Sequence, residues 1–317
     1  MPDSRICVYI GDELGRYGFG REHPFGTDRM AAFWNQAVAQ GLDNKVCIHQ
    51  PVMAGQNIIE RFHTHAYVER VKALSDIGEG YLDFGDTPVV QGIYTAAAYV
   101  TGSSVDAMEQ IMQARCSRAF VPIAGLHHAR RDTAAGFCVF NDCGVVIESL
   151  RHQHSIARVC YVDIDAHHGD GVFYSFEQDS DVYIIDVHED GRYLYPGTGN
   201  TGETGSGSAA GTKLNIPMPP AAGDDAFFDV WPRIETFIRD ATPDFILLQC
   251  GADSIGGDPI THMQFSPAVH YHTTLQLCRI ADDIGHGRVL ALGGGGYNRS
   301  NIAAAWCAVV QAFIDSQ

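Results

Sequence analysis

The chain has 317 residues, 45% hydrophobic and 19% charged, and a formal net charge of −17 from 38 acidic and 21 basic side chains. That acidic surplus argues against a nucleic acid as a direct partner, because a phosphate backbone needs a basic footprint, and it suits either a cationic substrate drawn in by steering or a solubilising, salt-adapted surface. No segment approaches the roughly 20 apolar residues of a membrane span, and the start MPDSRICVYIGDELGR has no basic region followed by an apolar one, so a cytoplasmic protein is expected.

Short β-branched runs alternate with longer helical patterns along the whole chain. RICVYI (5–10), KVCI (45–48), AFVPIA (119–124), RVCYVDI (158–164), DVYIIDV (181–187), KLNIPM (213–218), FILLQC (245–250) and RVLALG (288–293) read as strands buried on both faces. Helical patterns fall at 29–40, 54–75, 91–115, 142–153, 223–240, 267–284 and 299–315. The alternation predicts a three-layer α/β/α fold with a mostly parallel eight-stranded sheet, spanning 1–317 as one domain. Nine scattered cysteines without a C-x-x-C pair read as reduced core residues, Cys138 alone falling in a suspected site loop.

Unusual loops follow five of these strands: GLHHARRDTAAGFCVFND, DAHHGDG, HEDGRYLYPGTGNTGETGSGSAAG, GADSIGGDP and GGGYN. In an open parallel sheet ligands lie beyond the carboxyl ends of the strands, so the five loops define one site. Residues two apart in an extended segment face the same way, which lets Asp163, Asp165 and His167 line one side of a strand end. A buried carboxylate must be paired, protonated or bound to metal. With Asp253 just past another apolar strand, Asp165, His167 and Asp253 make an open three-ligand site with room for water. Oxygen with imidazole suits zinc, and iron(II), cobalt or manganese are compatible. The tandem His127 and His128, with the surplus Asp163 and Asp170, supply carboxylate-oriented imidazoles for general base catalysis, which points to hydrolysis.

Together these motifs resemble the zinc-dependent histone deacetylase family, which also contains bacterial acetylpolyamine amidohydrolases and acetoin-utilisation-type proteins. The matching pieces are HPFGTDRM (23–30), FHTHAYV (62–68), GDTP (85–88), GLHHARRDTAAGFCVFND (125–142), YVDIDAHHGDGV (161–172), YPGTGN (195–200), LQCGADSIGGDP (248–259) and LGGGGYN (292–298). The resemblance implies zinc on Asp165, His167 and Asp253, His128 as general base, His127 as electrostatic partner or general acid, and Asp163 and Asp170 as their supports. It implies Tyr297 as hydrogen-bond donor to the carbonyl and then the oxyanion, with Gly136, Phe137 and Tyr195 walling a narrow channel. It also implies Arg29 along an acetate exit path, Asp86 as the rim residue that grips the substrate backbone, and a structural potassium at Asp163, Asp165, His167, Asp186 and Val187. Asp186 departs from the serine common at its position.

On these grounds the expected substrate is an acylated lysine in a peptide or protein, with acetylpolyamine second. Ile260 stands where a polyamine-specialised branch carries glutamate, and Leu126 replaces a frequent tryptophan or proline that touches the acyl pocket. An arginase-like dimetal reading is disfavoured because Ile255 stands where a further ligand would be needed. A non-catalytic acyl-ligand sensor is disfavoured because His127, His128 and Tyr297 are all present. His63 and His65 are read as structural or surface residues in a helical pattern. Short peripheral loops permit a homo-oligomer.

Overall fold

A computed structural model describes residues 3–20 and 22–317. Met1 and Pro2, the very start of the segment inspected for a leader, lie outside the described residues, as does Arg21. Among the described residues, no helix is long and apolar enough to cross a membrane.

All eight expected strands form: β1 (Asp3–Tyr9), β2 (Val46–His49), β3 (Arg118–Val121), β4 (Val159–Asp163), β5 (Val182–Glu189), β6 (Lys213–Met218), β7 (Phe245–Gln249) and β8 (Val289–Leu292). They make one sheet in the order β2-β1-β3-β8-β7-β4-β5-β6, every neighbouring pair parallel. Every residue of β3, β4, β7 and β8 is buried, as expected for central strands covered on both faces. β2 corrects the sequence reading. It is an edge strand, and Ile48 lies 47% exposed because nothing pairs beyond it.

Among the described residues, ten α-helices accompany the sheet: α1 (Asp12–Gly15), α2 (Arg29–Ala39), α3 (Gln56–Ile59), α4 (His65–Ile77), α5 (Ile93–Met112), α6 (Asp142–His154), α7 (Asp170–Ser175), α8 (Asp224–Ala241), α9 (Pro267–Ile284) and α10 (Arg299–Asp315). α2, α8, α9 and α10 pack in one group, α3 to α7 in another, and these are the outer layers. The local sequence sets several helix ends. Ser266 caps α9 ahead of Pro267, and Gly285 closes it in the left-handed region at φ 100°. Asn298 caps α10 by accepting from the Ser300 and Asn301 amides.

The stretch 54–75 is two helices rather than one. α3 ends at Ile59, and after a turn the chain is held out of helix at His63 and Thr64 by partners from elsewhere: His63 Nε2 accepts the Asn141 amide at 2.9 Å, and the Thr64 amide donates to the Arg131 carbonyl at 2.8 Å. Thr64 then caps α4 by accepting from the Tyr67 amide. His63 is therefore a buried structural residue outside any helix, and His65 is an exposed one at the start of α4.

Candidate active site

β3, β8, β7 and β4 are consecutive in the sheet, and the segments that follow them carry Gly125–Asp142, Gly293–Tyr297, Gly251–Asp258 and Asp165–Asp170. Four loops from four adjacent strand ends therefore converge on one place. Three of the expected residues form a cluster there: a carboxylate oxygen from each of Asp165 and Asp253 and a ring nitrogen of His167 lie within 4.8 Å of one another, all buried. His167 Nδ1 is 3.1 Å from Asp165 Oδ1 and 3.2 Å from Asp253 Oδ2.

The outer oxygens of this cluster are anchored by the chain itself. Asp165 Oδ2 accepts from Gln249 Nε2 at 2.9 Å and the Gly295 amide at 2.8 Å, and Asp253 Oδ1 accepts from the Ala166 amide at 2.9 Å. Buried Asp253 Oδ2 faces His167 Nδ1 but, among the described residues, has no aligned hydrogen-bond donor. Burial and the neighbouring Asp165 push the Asp253 carboxyl up to about 7, the strain of two acidic groups sharing a site. An orphaned carboxylate oxygen, a second carboxylate and an imidazole facing one point fit a divalent cation. Gly251 makes the close approach possible, since a Cβ there would stand 1.9 Å from Asp165 Oδ2.

Beside this cluster lie two imidazole–carboxylate pairs. His127 Nδ1 is 2.7 Å from Asp163 Oδ2, and His128 Nδ1 is 2.8 Å from Asp170 Oδ1. Their Nε2 atoms face each other at 3.1 Å. Burial lowers His127, but the Asp163 and Asp165 carboxylates outweigh it and hold the ring up at about 9. Burial and the charge of His127 hold His128 down at about 4, against the pull of Asp170. The two rings are thus a proton donor facing a neutral acceptor, a division of acid and base set by environment. Asp170 opens α7, a short helix the sequence reading took as loop, and its Oδ2 also accepts from Arg130 at 3.1 Å.

Above the cluster, a tight cavity of about 10 Å³, the space of roughly one water, is lined by His127, His128, Asp165, His167, Leu126 and Tyr297 among others. Gly136 belongs to its wall: φ is +54° and a Cβ would meet the His128 ring at 2.4 Å, so only glycine serves. The Phe137 ring packs against Tyr297 with centroids 5.9 Å apart, and Tyr195 stands edge-on to His128 at 5.2 Å. The Tyr297 phenol is pushed well above its usual range by burial and by Asp253 and Asp165, so it stays a donor. Cys138 lines the same cavity, but burial pushes its thiol well up, which makes it an inert wall.

Outside lies a wider chamber of about 500 Å³ that includes Asp83, Phe84, Asp86, Arg130, Asp170 and Tyr195. Arg29 is fully buried below, donating from Nε to the Gly296 carbonyl at 2.9 Å and from Nη2 to that of Gly294 at 2.6 Å, while Nη1 has no partner. Ile260 is half-buried and lines neither chamber. Asp186 is in register with Asp163 across β4 and β5, but each of its oxygens already has a donor, His188 Nδ1 at 2.6 Å and the Gly169 amide at 2.8 Å. Each oxygen thus keeps one further acceptor site beyond these bonds.

Several supports escaped the sequence reading. Gln249 ties Asp165 to the Gly125 carbonyl, buried Asp142 accepts the Gly125 and Leu126 amides, and the Tyr17 hydroxyl donates to the Phe137 carbonyl at 2.7 Å. Tyr161 donates to Asp163 Oδ2 at 2.5 Å. Only the last carried a local signal, its spacing of two from Asp163 on one strand.

Comparison with known proteins agrees with this arrangement. Residues 23–313 match the family model described as "Histone deacetylase domain". The chain is 34% identical over 310 residues to the acetoin utilization protein AcuC of Bacillus subtilis (strain 168), covering 94% of this chain and 78% of that protein. It is 30% identical over 312 residues to the histone deacetylase clr6 of Schizosaccharomyces pombe (strain 972 / ATCC 24843), covering 96% and 75%. The crystal structure of the HDA15 HD domain superposes with a TM-score of 0.89 at 26% identity, covering 99% of this chain and 91% of that one. The chain belongs to the histone deacetylase family, and its fold is that family's α/β fold built on a single parallel sheet.

Proposed function

We propose that this protein is a zinc-dependent deacetylase that hydrolyses the N-acyl amide of a long-chain amine and releases acetate. An acetyl-lysine in a peptide or protein is the first substrate and N-acetylpolyamine the second, and the place of action is the cytoplasm. The observation that supports it most is the pair of imidazole–carboxylate dyads with Nε2 atoms 3.1 Å apart, set beside Asp165, His167 and Asp253.

Those three residues would hold the cation, with iron(II) or cobalt as alternatives to zinc. A bound divalent cation supplies Lewis acidity toward the amide carbonyl and acidifies a water. The remaining work belongs to the chain. Gly136, Phe137 and Tyr195 confine the alkyl stem and exclude bulk water. Asp86 holds the substrate backbone at the rim. His128 Nε2, neutral and oriented through Nδ1 by Asp170, accepts the proton of the attacking water. The Tyr297 hydroxyl donates to the developing oxyanion. His127, charged and oriented by Asp163, gives a proton to the departing amine. Arg29, with an unpaired Nη1 beneath the site, would meet the acetate. A structural potassium that Asp163, Asp165, His167, Asp186 and Val187 would hold belongs to the same proposal.

The test is turnover of an acetyl-lysine peptide and of N-acetylputrescine by zinc-loaded protein, with a hydroxamate chelator as control. Chelator-sensitive release of acetate is expected. A stoichiometrically loaded protein that leaves every N-acylated amine intact would favour the acyl-ligand sensor instead.

A further inference from the structure

The outer chamber carries a feature that acyl-lysine chemistry does not call on. Phe84 is fully exposed, its relative accessibility 108%, on the short loop that also bears the rim residue Asp86. Such a ring forgoes the burial that stabilises other aromatic side chains. Its loop is nevertheless fixed. Asp83 Oδ1 accepts the amides of Gly85, Asp86 and Thr87 at 2.9, 3.1 and 3.0 Å, and the Thr87 hydroxyl accepts the Phe137 amide at 3.1 Å. The same contacts that secure the channel wall thus fix the backbone from which the phenyl projects at the chamber.

Charge settles what would lie against it. The chamber carries three carboxylates, Asp83, Asp86 and Asp170, against one guanidinium, Arg130, which is already engaged with Asp170 at 3.1 Å. The Asp83 and Asp86 carboxyl groups are in contact with each other, and the donors that meet them, the amides of Gly85, Asp86 and Thr87 and the Thr87 hydroxyl, are neutral. A negative chamber walled by exposed rings, Phe84 on one side and Tyr195, 44% exposed, on the other, suits a cation with an alkyl stem. The net charge of −17 brings such a ligand in rather than an acidic one.

We propose that the outer chamber is a specificity subsite for a basic residue flanking the acylated lysine, with Phe84 as the ring against which that residue lies. The proposal rests on the deacylase reading above and narrows it to basic-flanked peptides. It gives Phe84 a role in choosing substrate and none in the chemical step.

The test uses acetyl-lysine peptides matched except for one flanking position, which is Arg, Gln or Glu, with full-length zinc-loaded protein. The Arg peptide is expected to exceed the Glu peptide in kcat/KM by about tenfold at low salt, and the margin should shrink as salt rises. Phe84→Ala, which leaves the Asp83 hydrogen bonds in place, should cut the Arg over Gln preference by about threefold, and Phe84→Trp should restore it. Dissociation constants of the same peptides on the inactive His128→Ala protein read the charge preference without turnover. A preference in binding with no turnover by the wild type therefore sinks the deacylase reading and spares the subsite. Equal handling of the three peptides, or a preference for Glu, overturns the subsite while turnover stands. A preference untouched by Phe84→Ala removes Phe84 from it, and N-acetylputrescine outcompeting every peptide shows that the chamber holds a polyamine's second amine instead.

Discussion

Tyr297→Phe isolates one oxygen atom. The ring of Tyr297 packs edge-on to Phe25 and Phe137 with centroids 6.3 and 5.9 Å away, and its amide donates to Asp258 Oδ2 at 2.8 Å. None of these contacts uses the hydroxyl, so the phenylalanine fits the same space, and a stability change within about 0.5 kcal/mol is expected, as for substitutions that create no cavity and strand no polar group. Transition-state stabilisation should fall much further, because removing one donor aimed at an oxyanion costs about 3 to 4 kcal/mol, or roughly two to three orders of magnitude in kcat. The donor is present at any working pH, since the phenol is held well above its usual range. The assay pairs kcat and KM on an acetyl-lysine peptide with a thermal melt of the same protein. Loss of kcat at unchanged KM and Tm supports the role. Near-wild-type turnover would remove Tyr297 from the mechanism, and a collapse of Tm would mean that the hydroxyl is structural.

Metal content gives a second check: one transition ion per chain is expected by elemental analysis, falling to none in Asp253→Ala, whereas two manganese ions per chain would revive the arginase-like alternative. Acid sensitivity gives a third. Burial holds His63 at about 3 and His270 at about 4, both below the unfolded value near 6.5, so both are neutral in the fold. Stability is then full above pH 6.5 and falls as the unfolded chain takes protons first, by of order 3 kcal/mol for His270 on reaching pH 4. Denaturant midpoints from pH 7 to 4 read this slope, which His270→Gln should flatten; an unchanged slope would refute the assignment.

How much of this was legible depended on whether a signal was local. The central strands were, because Val, Ile and Leu runs such as FILLQ have no surface face to hide. The convergence of Asp165, His167 and Asp253 was legible too, because each stands just past such a run. The break at His63–Thr64 was not, since it exists only because Asn141 and Arg131 arrive from elsewhere in the chain. Gln249 and Asp142 look like ordinary polar residues next to apolar runs, and their tasks appear only when β3, β7 and β4 lie side by side. Phe84 gave no sign at all, because exposure is a property of the folded loop.

The groups proposed to react hang from four neighbouring inner strands, whereas those proposed to meet the substrate's distal end sit on the 83–87 turn and the 195–196 segment. Backbone amides around Asp165 and Asp253 should consequently exchange with deuterium only when the whole molecule opens, while those of the turn exchange by local fluctuation. Such a division lets selectivity drift by mutation at the periphery without disturbing the chemistry that the interior holds in place.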